Sequence, residues 1–376
     1  MKVVVINCFD IFEQRAAVVA ENFVRLGHEV TVIESDFSHT YKKTAEIKND
    51  HILIKTRPYH RNLSVARLLS HHFFARDTFK QVELVQPEMV YVLIPPNSLA
   101  KAAHAYKKKH SEVKLILDIL DLWPETLPVG SIKQVFPFTL WRNIRDLHVE
   151  NADMVITECN LYQEILADVL RDRTTKTLYL AKSAEPIFST PTLDNTTIHL
   201  AYLGSINNII DIPMIIKLTK AIDSLKPVTI HIIGSGENKD TLLSELKKNS
   251  IQTEYVGIEY DETKKQAIFD RCHFGLNIMK ESVVVGLTIK SIDYFYAGLP
   301  ILNTIKSDTK QLVSENQIGF NVTEDNLATI ATAIATMSDE EMSAMRKRTQ
   351  TVFETHFSAR AFAAEFDEII ASVCGK

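Results

Sequence analysis

The stretch Ile198-His199-Leu200-Ala201-Tyr202-Leu203-Gly204-Ser205 decides the fold. An apolar run with almost no polar alternation ends in a glycine, as in a strand buried on both faces that feeds a tight turn. It follows residues 181–197, AKSAEPIFSTPTLDNTT, whose prolines and small polar side chains read as a linker. Before the linker, predicted strands at 2–7, 29–34, 51–55, 89–94, 114–118 and 153–157 alternate with helices near 12–26, 64–84, 97–109 and 139–150. LYQEILADVL (161–170) continues as helix. After it the rhythm restarts. Strands at 198–204, 228–233, 253–257, 274–278 and 300–303 alternate with helices at 212–224, 238–248, 262–270 and 289–297. Helices at 325–335 and 339–354 and an amphipathic tail at 358–373 complete the chain. The fold class is α/β, with two Rossmann-like doubly wound domains in series, as 376 residues also suggest. Ligands of such sheets bind outside the carboxyl ends of the strands, so two facing domains make one central cleft.

Composition narrows the function. No window approaches the roughly 18 uninterrupted apolar residues of a membrane-spanning helix, and MKVVVINCFD reads as a first strand rather than a signal peptide. Cys8, Cys159, Cys272 and Cys374 form no CxxC pair, so neither zinc nor a redox motif is indicated, and a reducing cytoplasm is expected. The net charge of −5 hides a local +5 over residues 51–150, with 14 Lys and Arg against 9 Asp and Glu. That bias suggests an anionic partner or an unevenly charged solvated surface. Nucleic acid is not expected of an acidic chain without a binding module.

Glycines follow two strands of the second half. Gly204-Ser205 lets a backbone approach a ligand, and Gly234-Ser235-Gly236 does the same before a helix, although either turn can be turn chemistry alone. The second stops at GxGxxK, with Lys239 where a third glycine belongs, and the first turn of the chain, Asn7-Cys8-Phe9-Asp10, has none. Both facts argue against an NAD(P) dehydrogenase. In Gly286-Leu287-Thr288-Ile289-Lys290-Ser291-Ile292-Asp293-Tyr294, Thr288 is the expected N-cap and Lys290 falls in the first turn. A cation there opposes the helix dipole unless a bound anion reverses the penalty, as a pyrophosphate would. Asp293, one turn on, suits ribose hydroxyls, and the alternative is a Lys290–Asp293 surface pair. In the first half, Asp121-Leu122-Trp123-Pro124-Glu125 closes a strand; Asp121 or Glu125 can orient or deprotonate an acceptor hydroxyl, and Trp123 either stacks on a sugar or packs beneath the loop. Two basic aromatic stretches follow the pattern of interfacial elements or of core helices with snorkelling cations. One begins at Tyr59 and carries Asn62 and Arg67; the other begins at Lys133-Gln134 and carries Phe138, Trp141, Arg142 and Arg145.

In order along the chain, Asp121-Leu122-Trp123-Pro124-Glu125, Leu203-Gly204-Ser205, Ile233-Gly234-Ser235-Gly236, and Lys290-Ser291-Ile292-Asp293-Tyr294 with Ala297-Gly298-Leu299-Pro300 resemble the motifs of family 4 retaining glycosyltransferases. These have GT-B architecture, and the likeness is to the bacterial enzymes of capsule, exopolysaccharide and O-antigen synthesis. The resemblance implies an acceptor-binding domain over 1–183, a donor-binding domain over 184–357, and a terminal helix, 358–376, packing back on the first. It implies a UDP-sugar donor, a lipid-linked or growing glycan acceptor, and the inner face of the cytoplasmic membrane. No cofactor or metal is expected. Catalytic candidates are Asp121, Glu125 and Lys290, and donor candidates are Gly204, Ser205, Gly234, Ser235, Gly286, Leu287, Thr288, Lys290 and Asp293. Acceptor or membrane candidates are Asn62, Arg67, Trp123, Phe138, Trp141 and Arg142. Where the family has two glutamates seven residues apart, Asp293 fills the second position and Val285 the first, with Glu281 out of register. The departure leaves open an epimerase of the same architecture and a non-catalytic partner subunit.

Overall fold

The computed structural model describes residues 1–375 except 45–50, 128–134, 185, 187–190, 192 and 195. Lys133 and Gln134, and part of the expected linker, lie outside the described residues. The chain forms two compact units, Met1–Leu180 with Phe362–Lys376, and Ala181–Ala361.

The first unit holds strands β1 (Lys2–Asn7), β2 (Glu29–Ser35), a hairpin of β3 (Phe37–Ser38) and β4 (Lys43–Thr44), then β5 (His51–Ile54), β6 (Met89–Ile94), β7 (Lys114–Ile119), β8 (Met154–Thr157) and β9 (Thr175–Thr177). The main sheet runs β5-β2-β1-β6-β7-β8-β9, parallel throughout. Every residue of β6 is buried, which is why its apolar run does not alternate. Strand order reverses between β1 and β6, so the ligand-binding switch point lies beyond Asn7 and Ile94.

The second unit contains β10 (Ile198–Leu203), β11 (Val228–Ile233), β12 (Gln252–Gly257), β13 (Phe274–Asn277), β14 (Ile301–Asn303) and β15 (Gly319–Asn321). Its parallel order is β12-β11-β10-β13-β14-β15, with the reversal between β10 and β13. The hairpin, β9 and β15 escape the sequence reading because two or three residues establish no period. The helix expected over 161–170 breaks into Asn160–Ile165 and Ala167–Leu170.

A buried ionic knot fastens the first unit. Arg15 donates from Nε to Asp118 Oδ2 at 2.9 Å and from Nη2 to Oδ1 at 3.2 Å, and Tyr91 donates to the same carboxylate at 2.7 Å. Two further guanidinium hydrogens reach the carbonyls of Leu178 and Tyr179, both at 3.0 Å. The last helix, Ala359–Cys374, adds Phe362 with its ring 4.9 Å from this guanidinium, and Phe366 edge-on to Phe23. One arginine thus ties the first helix, the central sheet, the loop after β9 and the returning tail.

The second unit buries a histidine group. His199 Nδ1 lies 2.9 Å from His231 Nε2, and His273 Nδ1 accepts from the His199 backbone N–H at 3.0 Å. Burial lowers the pKa of all three, His273 to about 4, although Asp194 and Glu254 near His199 and His231 oppose the shift. The folded state therefore keeps these rings neutral where the unfolded chain, near pH 6.5, already binds protons. Their stability contribution is complete above that pH and is lost as pH falls toward 4. Urea unfolding of this unit should weaken steadily from pH 7 to pH 4.5, and His273→Gln should flatten the profile.

Candidate functional site

In the second unit, the loop after β13 leads into the helix Ile289–Tyr296. Thr288 caps it, accepting from Ser291 N–H at 3.1 Å. Gly286 is buried, its carbonyl held by both the N–H and the hydroxyl of Thr309, and Leu287 is buried beside it. Tyr294 accepts from Leu203 N–H at 2.8 Å and donates to the Ala201 carbonyl at 3.1 Å, so the helix is bolted to the end of β10. Gly275 makes room for that ring; a Cβ there would lie 2.7 Å from it.

Lys290 does not pair with Asp293. Its amine is buried without a hydrogen-bond partner among the described residues, 4.9 Å from the centre of the Tyr202 ring, and burial lowers its pKa to about 8. Asp293 instead accepts from Lys182 Nζ at 2.6 Å, and Lys182 also donates to Glu262 at 3.1 Å. The surface-pair alternative therefore falls. A desolvated amine in the first turn of a helix beside the switch point has the chemistry to receive an anion.

The two glycine turns answer each other. Gly204, at φ 106°, has open space where a Cβ would be, consistent with close ligand approach, and Ser205 is exposed. Gly234, at φ 147°, lies so close to Gly204 that a Cβ would come within 2.0 Å of its carbonyl oxygen. Ser235 accepts at its carbonyl from Ile206 N–H at 2.9 Å. Gly234 and Ser235 thus support the Gly204 loop, as the turn-chemistry alternative expects.

The first unit gathers an aromatic pocket at the carboxyl ends of its strands. Arg67, buried, places its guanidinium 4.1 Å from the Trp123 ring, with Phe9 and Tyr59 within 6 Å. Nη1 donates to the Asn62 carbonyl at 2.8 Å, while Nε and Nη2 are buried without a hydrogen-bond partner. Asn62 accepts at Oδ1 from Lys42. His71 stacks on Trp123, and neither ring nitrogen has a partner. Burial and the neighbouring Arg67 and Lys42 hold His39 near a pKa of about 4. Asp121 accepts from the Thr126 hydroxyl, and burial raises its pKa above the ordinary carboxylate range. His39, His71, Lys182 and Asn97, whose side-chain amide donates to the carbonyls of Trp123 and Trp141, were not singled out from sequence, and Tyr59 entered only as the start of a basic aromatic stretch. Isolated histidines and tyrosines on separate elements carry no spacing that would reveal them.

Two expectations are corrected. Glu125 is held by Arg145, with Nη2 at 2.6 Å from Oε1 and Nη1 at 3.3 Å from Oε2, and Arg145 is fully buried, so this pair fixes the loop and leaves no free base. The interfacial reading of the second basic aromatic stretch holds only in part: Phe136 and Leu140 are exposed, Phe138 is half-buried, and Trp141 packs inward with only 8% of its surface accessible. Arg142 lies 3.7 Å from Asp146, an i,i+4 surface pair. Trp141→Ser should therefore cost roughly 3–5 kcal/mol of stability, read by urea denaturation, whereas Phe136→Ser should change it by less than about 0.5 kcal/mol.

No protein-family model matches the sequence, and no curated protein does. Solved structures do match over the full length. Sucrose-phosphate synthase from Thermosynechococcus elongatus is 10% identical with a TM-score of 0.72, over 100% of this chain and 99% of that one. HepE from Anabaena, in complex with UDP and glucose, is 12% identical with a TM-score of 0.67, over 99% and 100%. WaaG, a glycosyltransferase involved in lipopolysaccharide biosynthesis, is 11% identical with a TM-score of 0.61, over 100% of both chains. At such identities the likeness establishes the fold, two Rossmann-like domains of the GT-B type.

Proposed function

We propose that this chain is a retaining glycosyltransferase that carries a sugar from a UDP-sugar to a lipid-linked or growing glycan acceptor. The observation behind this reading is the buried, unpartnered Lys290 amine at the head of a helix beside the Gly204 turn. That arrangement suits a diphosphate, and the likeness to UDP-bound HepE and to WaaG supports a uridine donor and a surface-glycan product. Lys290 neutralises the leaving diphosphate, whose charge grows in the transition state. Asp293 shares Lys182 with the ribose hydroxyls, and the Gly204 loop admits the phosphates. Asp121, made more basic by burial, receives the acceptor hydroxyl, and Arg67 with Trp123 seats the acceptor. Neither metal nor cofactor enters this scheme. Among the described residues no helix is long and apolar enough to cross a membrane, so contact with the inner membrane face is peripheral in this reading.

Calorimetric titration with UDP tests it. Wild type should bind one UDP, and Asp293→Ala should bind about 10–100-fold more weakly, the loss of hydrogen bonds to a charged group. A wild type that takes up no UDP would sink the proposal.

A further inference from the structure

The first unit has a second concavity. A groove of about 360 Å³ opens between the helices Val65–Val85, Asn97–Lys109 and Phe138–Asp146, within the roughly 300–1,000 Å³ of small-ligand pockets. Leu68, Ala75, Ala102, Leu140, Trp141 and Ile144 supply apolar walls. Two of its polar wall residues spend their side-chain donors inside the protein, Ser98 on the His71 carbonyl and Asn97 on the two tryptophan carbonyls, while His72, Arg76 and Lys101 are exposed side chains. The apolar walls give a peptide backbone few hydrogen bonds, whereas a hydrocarbon chain asks for none.

Two further features identify the occupant. Lining residues include His72, Arg76 and Lys101 but no carboxylate; Arg76 is already held by Asp77 at 2.8 Å, whereas Lys101 is exposed with no ion pair among the described residues. An apolar slot with a basic border complements an anionic amphiphile. The groove is also continuous with the acceptor pocket, since His71, on its wall, stacks on the Trp123 that Arg67 covers. We infer that this groove holds the hydrocarbon chain of a lipid-phosphate acceptor, with Lys101 and Arg76 beside its phosphate. The inference rests on the lipid-linked acceptor proposed above and assigns the side chains that select it.

Dodecyl phosphate, kept below its micelle-forming concentration, is the probe, titrated calorimetrically. Wild type should bind it saturably at one site, decyl phosphate more weakly by about fourfold for each methylene removed, and inorganic phosphate without measurable heat. Ala105 lines the groove from an exposed position. Ala105→Trp should therefore fill it, lowering dodecyl phosphate affinity at least tenfold with the melting temperature unchanged, and Lys101→Glu should weaken binding severalfold. UDP titrated into the same samples reports on the donor site separately, so loss of one binding event without the other tells which reading failed. Absence of saturable binding by wild type overturns the inference, as does unchanged affinity in Ala105→Trp. Binding confined to phosphatidylglycerol vesicles, and indifferent to Ala105→Trp, also overturns it, showing a membrane-surface patch instead of a chain-binding groove.

Discussion

Lys290→Ala is expected to lower sugar transfer by roughly 10²–10³-fold, the usual cost of removing one preorganised donor from a developing anion. The same substitution should make the unliganded protein more stable. The amine is buried without a partner, with its pKa lowered to about 8 from an ordinary 10.5. Keeping it protonated at pH 7 therefore costs on the order of 3 kcal/mol. Lys290→Met, which keeps the stem and drops the charge, should recover much of that cost as a higher melting temperature while transfer stays low. A structural lysine would lose stability and activity together. A bound diphosphate favours the protonated amine, so UDP binding should take up a proton near pH 8 and weaken above it. Calorimetry in buffers of different ionisation enthalpy measures that uptake, and pH-independent UDP affinity between pH 7 and 9.5 would remove Lys290 from the donor site.

Asp118→Ala should destabilise the first unit by about 3–5 kcal/mol, because it leaves the Arg15 guanidinium buried beside an unanswered Tyr91 hydroxyl. Asp118 and Arg15 are almost inaccessible, so solvent cannot repair the loss. Removing both partners in Arg15→Met with Asp118→Leu should cost less than the single change. The measurement is unusually clean, because the protein's two tryptophans, Trp123 and Trp141, both belong to the first unit, and tryptophan emission in urea follows that unit alone. If Asp118→Ala unfolded at the wild-type midpoint, the ionic knot would hold nothing together.

Much of the candidate donor side was legible. Thr288, Lys290, Ser291 and Tyr294 lie within one helix whose cap, first turn and stop are local signals, and they fall where the sequence places them. The partner of Asp293 was not legible: Lys182 is 111 residues away, in the stretch read as a linker. Gly234 was noticed for the right property, a backbone that no side chain permits, but the neighbour that needs the space, Gly204, sits in a separate turn that the sequence does not place beside it. In the first unit the acidic motif was seen, but Glu125 looked free because Arg145 approaches it from a separate helix.

The sequence by itself determined the two parallel sheets. Unalternating apolar runs between amphipathic helices leave no other way to bury both faces of each strand. It also determined where the glycine turns and the helix cap fall, since these depend on residues a few positions apart. Only the tertiary structure decided which charges are answered. Arg15 meets Asp118, Arg145 meets Glu125, Lys182 meets Asp293, and Lys290 meets no carboxylate among the described residues, only the face of Tyr202. Pairing depends on which side chains the crossovers bring within about 3 Å of one another in a desolvated interior, and a linear pattern carries no record of that distance.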